Sequence, residues 1–237
     1  MILCSTCNAE APSHYPYCPL CGARRPAQAG RPAGAHIVVL LDRTGSMNPI
    51  REATIGAFNM FLAEQQSDAT DCRFTLTLFA GDVADMPNGS ITLHEAAPID
   101  RVPPLTTKTY RPDGNTPLYD AIARSIDAAE FVQARDRRRV LFVIHTDGHE
   151  NASTTWTKDT IRALIQRKQR EGWSFLYVGA EFSTYADAAD IGIMAEDTSQ
   201  YDHTADGVSQ SMRTVAQRST RHRRGSNPTP STPVTPV

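Results

Sequence analysis

The stretch His36-Ile-Val-Val-Leu-Leu-Asp42-Arg-Thr44-Gly-Ser46 decides the fold. Ile37 to Leu41 form an unbroken apolar run, the pattern of a strand covered on both faces rather than on one. A carboxylate and two hydroxyls follow at once, in a turn that contains Gly45. Comparable runs recur at CRFTLTLFA (72–80), RVLFVIHT (139–146) and WSFLYVGA (173–180). The segments between them space apolar residues by three and four. Strands alternating with helices in this way predict an α/β domain built on a mainly parallel sheet.

The helical segments are read as follows. Residues 48–66 turn Ile50, Ala53, Ala57, Met60 and Phe61 to one buried face. A second helix opens at Thr116-Pro117 and repeats Leu118, Ile122 and Ile126 inward. A third covers 157–171, with Ile161, Leu164, Ile165 and Lys168 inward, and stops at Gly172. Two shorter helices are expected near 182–190 and 205–219. Between Gly81 and Asn115, a turn at Asn88-Gly89 and the run Ile91-Thr-Leu-His94 predict an antiparallel edge hairpin followed by an extended loop.

Around this domain the chain of 237 residues carries appendages. Four of its five cysteines fall within the first 21 residues, as Cys4-Ser-Thr-Cys7 and Cys18-Pro-Leu-Cys21. Two such knuckles bring four thiolates to one tetrahedral Zn²⁺, which supplies the folding energy that so short a segment lacks. The competing reading, two disulfides, needs an oxidising compartment. The expected organisation is a zinc ribbon over 1–24, a Pro/Gly-rich linker over 25–34, the α/β domain over 35–222 and a disordered Thr/Pro-rich tail over 223–237. Cys72, at a strand start, reads as a packing residue.

Composition excludes some classes. Apolar runs of five residues, Ile37–Leu41 and Val140–Ile144, fall far short of the roughly 20 that a membrane helix requires. The first residues show no basic leader or long apolar stretch, so the expected compartment is the cytoplasm. A net charge of −2 argues against a general polyanion binder.

Asp42, Thr44 and Ser46 gain meaning from two further stretches, Gly114-Asn-Thr116-Pro and Thr146-Asp147-Gly148. Each alone has a plainer explanation: Ser46 and Thr116 as helix caps, Asp147-Gly148 as a turn. Together they matter, because loops that follow adjacent strands at the order reversal of a doubly wound sheet share one crevice. Two carboxylates with three hydroxyls suit a hard cation with oxygen ligands, Mg²⁺ or Mn²⁺. Neutral hydroxyls leave much of the ion's charge uncompensated, so an acidic group from outside is drawn in.

The motifs D-x-T-x-S, G-N-T-P-L-Y-D-A (114–121) and T-D-G (146–148) resemble the metal-ion-dependent adhesion site, or MIDAS, of von Willebrand factor A domains. The resemblance covers about residues 35–200 and is especially close to stand-alone A-domain proteins of bacteria and phages. It implies a Rossmann-like sheet with one antiparallel edge strand, flanked by helices, and Asp42, Thr44, Ser46, Thr116 and Asp147 as ligands. Thr44 stands where Ser is commoner, which adds a methyl group. The amino-terminal segment resembles small bacterial zinc ribbons.

The function expected is a non-enzymatic, metal-dependent protein-binding module that engages an acidic residue of a partner. The resemblance suggests AAA+ ATPases or kinase and phosphatase components as partners. Asp42 is read as a surface ligand whose replacement by Ala leaves the fold intact. One alternative is a metal-dependent hydrolase that uses His145 or His149 beside Asp147. Another is a nucleic-acid-associated protein that uses the ribbon with Arg135, Arg137, Arg138, Arg139, Arg218, Arg221, Arg223 and Arg224, although no aromatics interleave with these arginines.

Overall fold

The computed structural model describes residues 2–3, 7, 10–11, 20–21, 34–68, 70–180 and 182–225. The chain divides into two units, Met1–Ala33 and Gly34–Val237. In the smaller unit, β1 (Ile2–Leu3) pairs antiparallel with β2 (Glu10–Ala11). The zinc ribbon of the sequence reading lies largely outside the described residues: of its four cysteines only Cys7 and Cys21 are described, and both are exposed. So do the linker up to residue 33 and the tail from residue 226.

The larger unit holds a six-stranded sheet. Its strands are β3 (Ala35–Asp42), β4 (Cys72–Phe79), β5 (Ser90–Pro98), β6 (Arg139–Thr146), β7 (Ser174–Gly179) and β8 (Thr198–Gln200), in the order β5-β4-β3-β6-β7-β8. All neighbours run parallel except β5, which returns antiparallel along β4. Unlike the others, β8 has no apolar run to announce it; its three residues, Thr-Ser-Gln, pair at the edge only with the last residues of β7. Because β3 lies between β4 and β6, the order reverses there, and the carboxyl ends of β3 and β6 open side by side.

Among the described residues, five α-helices cover the sheet: α1 (Arg51–Ser67), α2 (Leu118–Asp136), α3 (Lys158–Arg170), α4 (Thr184–Asp190) and α5 (Ala205–Arg223). The unbroken apolar run of β3 explains the two layers. Ile37, Val39 and Leu41 pack with Phe58 and Phe61 of α1 and Met212 and Val215 of α5. Val38 and Leu40 pack with Ile122 and Ile126 of α2 and Ile161 and Ile165 of α3. Each such side chain contributes about 1.5–3 kcal/mol by leaving water, so a polar residue anywhere in the run would open one layer.

Three details differ from the sequence reading. Met60 is not on the inner face of α1 but 63% exposed; the buried stripe runs through Phe58, Phe61, Leu62 and Gln65 instead. The last helix is not short: α5 spans 19 residues. Arg223 is its final residue rather than the first of a tail, and it is buried. Its charge suggested solvent, whereas backbone carbonyls around it accept from both terminal nitrogens of the guanidinium. Cys72 is buried, and burial raises its thiol pKa to about 11. Among the described residues, no helix is long and apolar enough to cross a membrane.

Candidate functional site

Asp42 ends β3 and sits opposite Phe79 of β4. The chain leaves the strand under constraint: the Arg43 N–H donates to the Phe79 carbonyl (2.9 Å), and the Tyr110 hydroxyl donates to the carbonyl of Asp42 (2.6 Å). Residues 113–115 then cross over this exit. The Asp113 N–H donates to the Arg43 carbonyl (2.9 Å) and the Gly45 N–H to the Gly114 carbonyl (3.0 Å). Gly114, at φ +80°, is required here, since a Cβ would lie 2.0 Å from the Gly81 carbonyl oxygen. That close crossing brings Thr116 to the turn that bears Thr44 and Ser46.

A second clamp holds Thr116 against the loop after β6. Its N–H donates to Asn151 Oδ1 (2.8 Å), and its carbonyl accepts from the Asn151 N–H (3.1 Å). Glu150 accepts the Tyr119 N–H at the start of α2 (2.9 Å), and the Asp120 carboxylate accepts the N–H groups of Thr154, Thr155 and Trp156. The plainer account of Thr116 therefore fails: Pro117 is the N-cap residue, and the first N–H groups of α2 are taken by Glu150 and Ser153 rather than by Thr116. A Cβ built on Gly148 would lie 3.7 Å from both Ser46 Oγ and Thr116 Oγ1, so these two hydroxyls converge over Gly148.

Four of the five candidate residues, Asp42, Thr44, Ser46 and Asp147, are linked in one hydrogen-bonded cluster, and the Thr116 hydroxyl stands beside it at Gly148. Asp42 Oδ1 accepts the Thr44 N–H (2.7 Å), and Oδ2 accepts the Thr146 hydroxyl (2.5 Å). Thr44 Oγ1 lies 3.0 Å from Ser46 Oγ, whose hydroxyl donates to Asp147 Oδ1 (2.7 Å). Ser46 is exposed, while Asp42, Thr44, Thr116 and Asp147 are buried. Asp42 is thus not a surface ligand. Removing it would orphan the buried Thr44 N–H, at about 1–3 kcal/mol, and leave the Thr146 hydroxyl only the longer bond to the Gly148 carbonyl, so Ser46 is the cleaner residue to change.

Both carboxylates are buried, and no Lys or Arg among the described residues pairs with either. Arg43, next in sequence, turns to Asp85 instead (2.8 Å). Burial first, then the neighbouring Asp147 charge, raises the Asp42 pKa to about 7, against the hydrogen bonds from Thr146 and Thr44. Two buried carboxylates without a cationic side chain suit a bound cation. On a six-coordinate ion with bonds of about 2.1 Å, adjacent donors stand about 3 Å apart. The Thr44–Ser46 and Ser46–Asp147 separations already have that spacing. Among the described residues, no three His, Cys, Asp or Glu side chains converge, so a cation held here would rest on hydroxyls flanked by carboxylates, a donor set that fits a hard divalent ion.

The histidines fall differently from the hydrolase alternative. His145 is fully buried, with Nε2 3.0 Å from Ser211 Oγ and its ring stacked on Tyr201. His149 turns to Asp187, 3.2 Å away. The imidazole that reaches Asp147 belongs to His203, 2.8 Å from Oδ2. Sequence reading missed it, as it missed Asn151, because neither residue lies in a repeated or spaced motif.

No protein-family model and no curated protein sequence matches the chain; the similarity lies in structure. The pilus adhesin SpaC from Lactobacillus rhamnosus GG superposes with a TM-score of 0.60 at 11% identity, over 80% of this chain and 30% of that one. Proximal thread matrix protein 1 from the mussel byssus, solved with a zinc-occupied MIDAS motif, gives 0.56 at 16%, over 78% and 46%. The SpRpn10 VWA domain gives 0.55 at 12%, over 76% and 95%. The chain thus spans less than half the length of the first two. At these identities what is shared is the fold, that of von Willebrand factor A domains.

Proposed function

We propose that the larger unit is a metal-dependent protein-binding module. Thr44, Ser46 and Thr116 offer hydroxyls to a divalent ion, and Asp42 and Asp147 balance its charge. The carrying observation is that Asp42, Thr44, Ser46 and Asp147 form one hydrogen-bonded cluster with the Thr116 hydroxyl beside it, drawn from three distant stretches, open at Ser46 and without a Lys or Arg partner among the described residues. With the neutral hydroxyls bound directly and the two carboxylates reaching the ion through water, much of its charge stays uncompensated at the ion, which attracts one more anionic ligand. An Asp or Glu of a partner protein supplies it. The reading is a non-enzymatic one. Mg²⁺ and Mn²⁺ suit the oxygens best, and the zinc-occupied motif of the mussel protein supports divalent ions more broadly. The amino-terminal cysteines are proposed as a separate Zn²⁺ site. AAA+ ATPases or kinase and phosphatase components stand as candidate partners, and the proposed setting is cytoplasmic.

The test is Mn²⁺ binding followed by water-proton relaxation. Wild type should bind Mn²⁺ and show raised relaxivity. Adding a glutamate-containing peptide should lower it, as the carboxylate displaces a bound water. Ser46→Ala should remove the Mn²⁺ effect while far-UV circular dichroism stays unchanged. Equal relaxivity for wild type and Ser46→Ala would overturn the reading.

A further inference from the structure

His203 lies in a fourth stretch, which none of the three motif segments includes, yet it closes the site on the side of Asp147. A carboxylate only accepts, so the imidazole Nε2–H donates to Asp147 Oδ2 at 2.8 Å. With the Ser46 hydroxyl on Oδ1 at 2.7 Å, both oxygens of Asp147 are held by separate donors. Asp147 is 1% exposed and His203 36%, so the ring lies over the carboxylate from the solvent side.

The backbone that presents His203 is built rigidly. On one side Tyr201 is buried; its N–H donates to the Gly179 carbonyl (2.9 Å), and its ring stacks on His145. On the other, Thr204 caps α5 by accepting the Gly207 N–H (3.1 Å). Gly207 has no room for a side chain, since a Cβ would lie 2.0 Å from the Asp202 carbonyl oxygen. The 202–204 turn is therefore pressed onto the first turn of α5, and His203 projects from a fixed point.

We infer that His203 is a positioning residue for the metal site: its N–H fixes the rotation of the Asp147 carboxylate so that Oδ1 faces Ser46 and the hydroxyl cluster. The inference rests on the reading of that cluster as a divalent-ion site. Donors that orient a ligand set in this way govern affinity strongly, and their loss typically costs 10–100-fold in metal binding. Without His203, a freed carboxylate would sample rotations in which it no longer engages Ser46, and every ion would be affected alike.

Isothermal titration of the full chain with Mg²⁺, Mn²⁺ and Zn²⁺ tests this, with the cysteine-bound Zn²⁺ loaded beforehand in every variant. His203→Ala should weaken all three ions by a common factor of about 10–100, with no change in circular dichroism. His203→Gln, whose amide still donates, should recover most of that loss. Unchanged affinity in His203→Ala overturns the proposal. A loss confined to Zn²⁺ also overturns it, because it marks the ring as a nitrogen ligand rather than a support for Asp147. If wild type binds none of the ions and Ser46→Ala changes nothing, the cluster itself has been misread. That outcome differs from wild-type binding that His203→Ala leaves intact.

Discussion

Both edges of the larger sheet bury charge, but they finish the task differently. At the amino edge, Arg223 is 1% exposed and its guanidinium donates to the carbonyls of Gln65 (2.5 Å), Asp68 (2.8 Å) and Thr70 (2.6 Å). Arg138 pairs with Asp71 (2.8 Å) and Asp136 (3.2 Å), and Arg139 donates to the carbonyls of His222 and Arg223. At the carboxyl edge, Asp42 and Asp147 face hydroxyls, backbone and one imidazole, with no Lys or Arg among the described residues. One edge carries its own counter-groups and holds the structure together. The other leaves a net negative charge to be met from outside, which is what a binding site requires. The same contrast undercuts the nucleic-acid reading, since three of the arginines it relied on are spent on the protein's own backbone and carboxylates.

The largest effect should come from breaking the amino edge. Arg223→Met leaves three carbonyls without their donor, and Asp68 loses a charge partner 3.8 Å away. A loss of about 3–5 kcal/mol in unfolding free energy is expected, measured by urea denaturation. Divalent-ion affinity of the folded fraction should not move. A loss below about 1 kcal/mol would mean that water replaces the guanidinium easily, and the edges would no longer differ in kind.

How far the sequence foretold this depends on what kind of signal each part sends. The strands β3, β4, β6 and β7 were readable because an apolar run such as Ile37–Leu41 has one cheap use, burial on both faces, whereas β8 sends no such signal. The gathering of Asp42, Thr44, Ser46, Thr116 and Asp147 was readable because short spacings at strand ends survive as motifs. His203, Asn151 and the burial of Arg223 were not. Each is a polar residue whose role depends on a partner between 35 and 158 residues away, and no local pattern encodes such a pairing. Met60 failed for a related reason: it fits the helical spacing, but α5 covers a neighbouring stripe of α1.

A medium-sized effect should appear on acidification, and it separates the edges again. Burial lowers the pKa of His36 to about 4, helped by Arg138 and Arg73, and burial alone lowers that of His145 to about 4. Both imidazoles stay neutral in the fold, whereas in the unfolded chain they take up protons near pH 6.5. Asp42, which burial holds protonated up to about pH 7, works in the opposite direction. At these two histidines, however, the unfolded state binds more protons, so their contribution to stability is flat above pH 6.5 and falls as pH drops toward 4, by on the order of 3 kcal/mol per histidine. Urea midpoints at pH 7, 5.5 and 4.5 read this slope. His36→Gln should remove about half of it. Added salt should soften the His36 part, which Arg138 and Arg73 reinforce, and leave the His145 part unchanged. A slope that no histidine substitution alters would detach the acid response from both edges.

The smallest effect belongs to Arg224, the next residue after the most deeply buried arginine. Its side chain is 66% exposed, and it reaches Asp68 Oδ2 at 3.6 Å from the solvent side. An exposed pair gains little in water and loses side-chain entropy when it forms, so Arg224→Ala should cost no more than about 0.5 kcal/mol. Two neighbours of the same chemistry, both aimed at Asp68, are thus expected to differ by several kcal/mol, because only Arg223 has given up water and must be repaid by fixed carbonyls. Equal urea midpoints for Arg223→Met and Arg224→Ala would show that charge count, not completed hydrogen bonding, sets the strength of the amino edge. The same reasoning would then have to be withdrawn from the carboxyl edge, where an incomplete set of partners is the ground for expecting a cation.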